Sequence, residues 1–97
     1  MVSAGKKYRV NPDILCEKEV DGMLLFDPHS GEVKILNETG AFVFELLRGG
    51  NDFCSVLVKL GEEFEDFDPV IAEADLLEVV SQLTISGIIY EIQENRK

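Results

Sequence analysis

Positive charge is scarce in this chain. Among 97 residues there are 9 Lys or Arg against 19 Asp or Glu, a formal net charge of −10 at pH 7. After Lys59 no basic residue occurs until Arg96, and the carboxylates between them make the C-terminal half an acidic body. A surface of that sign repels phosphate backbones and anionic lipid, so nucleic acid and membrane surfaces are excluded as ordinary partners. Basic or apolar partners are favoured.

The side chains that catalysis and metal binding need are also scarce. The single histidine, His29, falls in the turn-forming run Asp27-Pro28-His29-Ser30-Gly31, with no orienting partner beside it, and reads as a surface residue. There is no G-x-S-x-G, no phosphate-binding P-loop and no Gly-rich dinucleotide loop. Cys16 and Cys54 stand far apart and form no CxxC, so they read as reduced thiols rather than metal ligands. The acidic string Glu62 to Asp68 lacks the alternation and central glycine of an EF-hand and is interrupted by Phe64 and Phe67. Neither enzymatic activity, nor a metal, nor a cofactor is expected. No apolar run approaches the roughly 20 residues of a membrane span, and Met1 to Lys7 lacks the apolar stretch of a secretory signal. A cytoplasmic location is expected.

A hydrophobic fraction of 45% is enough for one core, and the length suits one domain. Residues 1–7 read as a disordered start, 8–92 as a single domain and 93–97 as a tail. Tyr8 to Pro12 leads in, and a sheet is expected just after Pro12. Ile14 to Val20 and Met23 to Phe26 read as strands joined at Asp21-Gly22, a hairpin signal. After the turn at Asp27 to Gly31, a third strand over Glu32 to Leu36 places Val33 and Ile35 on one face and Lys34 and Leu36 on the other.

From Asn37, a good N-cap, the period changes to 3.6. Ala41 to Leu47 form a helix apolar over most of its circumference, stopped by Arg48-Gly49-Gly50-Asn51. A second helix starts at Asp52 and carries the stripe Phe53, Val56, Leu57, Leu60 and Phe64. A third starts at Asp68-Pro69, runs to about Ser86 and ends at Gly87. Ile88 to Ile92 is a short strand or an extended segment. The fold class is therefore α+β: a winged helix-turn-helix-like arrangement of a three-stranded antiparallel sheet followed by a three-helix bundle.

On the third helix Ala72, Leu76, Val79, Val80 and Leu83 make the core stripe. A second uncharged strip, Val70, Ala74, Leu77, Ser81 and Thr84, runs beside it, with Glu73 between and Asp75, Glu78 and Gln82 opposite. The second strip either packs on another part of the domain or walls a shallow groove for a partner. A three-stranded sheet leaves an edge unpaired, which Lys34 is placed to guard against self-pairing. Such an edge beside an apolar helix face is a site for strand addition. A winged helix that binds DNA would need basic side chains on the recognition helix, and this one has none.

These features resemble the PqqD family, the small proteins associated with pyrroloquinoline quinone biosynthesis, and the related precursor-peptide recognition domains. The resemblance rests on Arg9-Val10-Asn11-Pro12-Asp13, on Leu25-Phe26-Asp27-Pro28 with Gly31, and above all on Leu36-Asn37-Glu38-Thr39-Gly40-Ala41, with Leu46-Leu47, Gly49, Leu83 and Gly87 following. It implies a domain that binds the leader of a ribosomally made precursor peptide and delivers it to a modifying enzyme, often a radical S-adenosylmethionine enzyme, without a cofactor of its own. It further implies a leader strand added to the edge Val33, Lys34, Ile35 and Leu36, against a wall formed by Val70, Ala74, Leu77 and Ser81; the charge of the helix adds Glu73 and Glu78 as an acidic rim that favours a leader carrying Lys or Arg. Lys34 and Ile35 stand where many members carry an aromatic and a small residue, so leader preference does not carry over. A protein–protein adaptor, or a homodimer through the same edge, is the alternative reading of the residues.

Overall fold

The computed structural model describes residues 6–64, 66 and 68–92. The expectations of a disordered start over 1–5 and a tail over 93–97 lie outside the described residues. The elements, in order, are β1 (Tyr8–Val10), β2 (Leu15–Glu19), β3 (Gly22–Phe26), β4 (Val33–Asn37), α1 (Glu38–Arg48), α2 (Phe53–Glu63), α3 (Pro69–Ile85) and β5 (Ile89–Glu91). As expected, the chain is α+β, with an antiparallel sheet ordered β2-β3-β4 followed by three helices.

A second sheet, β1 paired antiparallel with β5, was not expected. Its register sets Tyr8 opposite Glu91 and Val10 opposite Ile89. The strand at Tyr8–Val10 is too short to show alternation, and the sequence placed the sheet's start after Pro12. Lys6 and Lys7, which read from the sequence as part of a disordered start, are held by main-chain bonds to α2 and to the residue after β5. The Lys6 carbonyl accepts from the Phe53 N–H and the Lys7 carbonyl from the Ile92 N–H, both at 2.9 Å.

The core forms where the periodic apolar positions converge. On β3 the inward Met23 and Leu25 are each 1% exposed, and Val43, Phe44 and Leu47 of α1 are buried against them. Phe53, Val56 and Leu60 of α2, Leu76 and Leu83 of α3 and Ile89 of β5 complete it. Each such side chain contributes about 1.5–3 kcal/mol on burial. Helix α1 packs on β1, β3, β4 and α2, and α3 packs on α2 and β5. Phe64, read as the last residue of the second helix's stripe, is instead the extended residue after α2 and meets the Phe42 ring edge-on, with centroids 5.6 Å apart.

Each helix begins on an expected cap. Asn37 Oδ1 accepts from the Gly40 N–H at 2.8 Å, Asp52 Oδ1 from Ser55 N–H at 2.8 Å, and Asp68 Oδ1 from Val70 N–H at 3.0 Å. The hairpin glycine has a different role from the one its sequence suggests. Gly22 is the first residue of β3 and its φ is not positive. A Cβ there would collide with the Leu36 carbonyl of β4, so the glycine serves close approach of two strands. Gly31, by contrast, closes its turn with a φ of 80°.

Two outcomes follow. Gly22→Ala should lower unfolding stability by about 1–3 kcal/mol, because neither backbone can move without breaking the ladder; urea denaturation measures it. The Ser55 backbone N–H, and then its hydroxyl, hold the Asp52 carboxyl below the usual carboxylate range. A lowered folded pKa stabilises above the unfolded value and is lost as pH falls through the folded one. The stability gap between the wild type and Asp52→Asn should therefore be present at pH 7 and shrink below about pH 4, as read by urea denaturation at both pH values.

Candidate functional site

β4 pairs with β3 on one side, and no strand among the described residues covers its other side. The Asp27 N–H donates to the Glu32 carbonyl at 2.9 Å. Counting from that pair in twos along an antiparallel ladder turns the main-chain groups of Lys34 and Leu36 toward β3 and those of Val33 and Ile35 toward the open edge. Side chains alternate as the sequence indicated: Lys34 and Leu36 are half-buried on the helix side, while Val33 and Ile35 are 55% and 76% exposed on the other. Lys34 therefore lines the space between sheet and helix instead of guarding the edge.

That space is a groove of about 260 Å³ between β4 and α3, lined by Lys34, Ile35, Leu36, Glu78, Val79, Gln82 and Leu83. The strip expected to form its wall lies elsewhere. Leu77 and Ser81 border a separate depression of about 250 Å³ with Tyr8, Thr84, Ile85 and Glu91, beside the β1–β5 sheet. Val70 is 78% exposed, and Val70 and Ala74 share that far flank by helical spacing. Glu73 is half-buried, one turn before Leu77 on the same side. A helical wheel locates two flanks of the core stripe but does not say which element lies against which. The uncharged flank was matched to β4, whereas the unforeseen β1–β5 sheet occupies that side. The wall residues that sequence reasoning misses are Val79 and Leu83, which read as core, and Gln82, which reads as lying opposite the strip; Glu78, expected on the rim, lines the groove.

At Val79 the groove meets a larger depression of about 350 Å³, bounded by Thr39 and Val43 of α1, Leu60 and Phe64 at the end of α2, and the first half of α3 from Asp68 to Val79. Acidic side chains dominate this whole side: Glu78 in the groove and Asp66, Asp68 and Asp75 around the depression.

Reactive groups are not gathered at the groove. His29 Nε2 lies 2.8 Å from Asp13 Oδ2 with both side chains exposed, and Ser30 Oγ accepts from the Glu32 N–H. Both cysteines are free, and burial pushes the Cys16 thiol up. No cluster of His, Cys, Asp or Glu among the described residues could hold a metal ion, and no helix among them is long and apolar enough to cross a membrane. What this geometry offers chemically is unpaired strand hydrogen bonding next to an apolar, acid-rimmed channel.

Two solved structures are similar to the chain. One, described as lasso peptide synthetase B1 complexed with the leader peptide, shares 31% identity and superimposes with a TM-score of 0.77, covering 87% of this chain and 98% of that one. The other, TbiB1 in complex with the TbiA(beta) leader peptide, has a TM-score of 0.79 over 89% of this chain and 99% of that one; at 16% identity it shows the fold alone. No curated protein matches. The family described as Coenzyme PQQ synthesis protein D matches residues 22–89, most of the chain and all of the groove, and the chain belongs to this PqqD family.

Proposed function

We propose that this chain is a non-catalytic, cytoplasmic carrier of precursor peptides: it captures a leader by adding it as a strand to β4 and presents the attached core to a modifying enzyme. The observation that carries this reading is the open edge of β4, with the main-chain groups of Val33 and Ile35 turned outward beside the α3 groove. The relative 31% identical to it was solved with a leader peptide bound, which supports the same occupant here. In systems of this kind the modifying enzyme is often a radical S-adenosylmethionine enzyme. The pathway is one of pyrroloquinoline quinone type or another that modifies ribosomal peptides.

Binding divides between backbone and side chains. Main-chain hydrogen bonds to Val33 and Ile35 contribute affinity that tolerates sequence change, and leader side chains entering the groove at Leu36, Val79 and Leu83 contribute selection. Glu78 and the neighbouring Asp75 attract a leader that carries Lys or Arg, speeding encounter more than they add affinity.

A second reading, a protein–protein adaptor or dimerisation module that binds no leader, is favoured by one observation. On the sheet face turned from the helices, Leu15, Phe26 and Val33 align in one row, and Leu24 and Ile35 lie in the next with Glu17. An antiparallel sheet ordinarily presents polar side chains to water on such a face. Sedimentation at two concentrations separates the readings: a dimer that excludes leader would replace the carrier by the dimerisation module.

For the carrier, titration of labelled protein with a synthetic leader should move the amides of Val33 to Leu36 and of Glu78, Val79, Gln82 and Leu83, and leave Leu77 and Ser81 less affected. Ile35→Pro removes one outward donor from an edge strand that tolerates proline; it should weaken leader binding about tenfold with the remaining spectrum native. The association rate should fall as salt rises, and a rate indifferent to salt removes the electrostatic contribution of Glu78 and Asp75.

A further inference from the structure

Main-chain pairing along a sheet edge repeats every two residues, so the outward groups of Val33 and Ile35 hold an added strand without deciding which of its residues lies where. A slip of two residues restores hydrogen bonds of the same kind and displaces the attached core by about 6.6 Å, at roughly 3.3 Å per residue. A carrier that presents a core therefore needs a side chain that sets the register. On the helix side, alternation along the edge offers three: Glu32, Lys34 and Leu36.

Lys34 differs from its two neighbours in what covering it demands. It is half-buried and is the only basic residue lining the groove; α3, from Pro69 to Ile85, has none. Glu78 lines the same groove, yet Lys34 forms no ion pair among the described residues. Helix α3 borders the depression beyond the end of β4 with residues up to Val79, and the groove with Glu78 to Leu83. It thus runs back along β4, with Glu78 and Val79 toward Leu36 and Gln82 toward Lys34. Because the main chain of Lys34 turns to β3, a strand added antiparallel meets it at a non-hydrogen-bonded position, where facing Cα atoms are about 4.5 Å apart and side chains closest.

We propose that Lys34 sets the register of the bound peptide by pairing with one Asp or Glu of the leader, the residue directly opposite it on the helix side. The proposal rests on the reading of β4 as the peptide edge. A peptide lying along that edge takes water from the half-buried ammonium, which is costly unless a carboxylate meets it. In register the carboxylate faces Lys34. Slipped by two residues it faces Glu32, a like charge, or Leu36, which offers no partner; slipped by one it turns to the opposite face of the sheet. Opposite charges directly across two strands stabilise the pair and like charges destabilise it. The surroundings sharpen the choice, since no other Lys or Arg lines the groove or the larger depression. Backbone bonds then hold the strand, and one ion pair fixes how far along the edge it sits.

The test uses the full labelled chain and two strand probes, acetyl-Thr-Leu-Thr-Glu-Thr-Leu-Thr-amide and the same peptide with Lys in place of Glu. Followed at the amides of Val33 to Leu36, the Glu probe should bind about tenfold more tightly than the Lys probe. Lys34→Glu should reverse that order; Lys34→Gln, the milder change if the first does not fold, should bring the two probes within about twofold of each other. A nitroxide on the N-terminus of the Glu probe reads the register itself. When the Glu is moved two places along the probe, the paramagnetic broadening should move two residues along β4 in the wild type and stay in place in Lys34→Gln. Equal binding of both probes by the wild type, or an order that Lys34→Glu leaves unchanged, overturns the role of Lys34 alone, provided that Val33 and Ile35 shift. Silence of both probes at Val33 and Ile35 overturns the carrier reading as well.

Discussion

The architecture depends on one junction, the passage from strand to helix at Asn37. The Asn37 side chain accepts from the Gly40 N–H at 2.8 Å, which lets α1 begin on the residue after β4 ends. A loop here would let the strand and the helix choose their angle independently; the cap removes that freedom. Gly22 across the ladder and Gly40 in the helix's first turn keep the junction tight, since a Cβ on Gly40 would press within 3.2 Å of Asn37 Oδ1. Because α1 is fixed to β4, and α3 reaches the sheet through α1, α2 and β5, the width of the groove follows from this turn.

Within that frame the acidic surface and the apolar groove are parts of one arrangement. Glu78, Asp75 and Asp66 are too exposed to be costly, and they lie on the side of the domain that carries the groove and the larger depression. The buried residues beneath them supply contact area. The far flank of the helix, with Leu77 and Ser81, faces the β1–β5 sheet and has a different neighbour entirely.

Most of the fold was legible because its signals are local. The three caps, the turn at Gly31 and the switch in hydrophobic period from 2 to 3.6 each lie within a few residues, and the structure follows them. The β1–β5 sheet was not legible, because Tyr8–Val10 acquires its meaning only from Ile89–Glu91 at the far end of the chain. That omission carried into the site. With one sheet in view, the uncharged flank of α3 pairs naturally with the β4 edge, and Glu78 reads as rim where it in fact lines the groove. The edge itself, Val33 to Leu36, needed only the alternation of one strand and a count of its neighbours.

The pairing of Tyr8 with Glu91 has a consequence for the order in which the domain assembles. Contacts within β2 to β4 and between successive helices span short stretches of chain, whereas this one must bring together almost the whole of it. Entropy of loop closure grows only slowly with length, so the latch is affordable, but contacts of such separation form late. β5 follows the other described elements in chain order, so the strand edge and its groove can take shape first. The flank of α3 bearing Leu77 and Ile85 gains Tyr8 and Glu91 as neighbours only when those two strands meet. In this domain the side with the open strand edge precedes the side that fastens the fold.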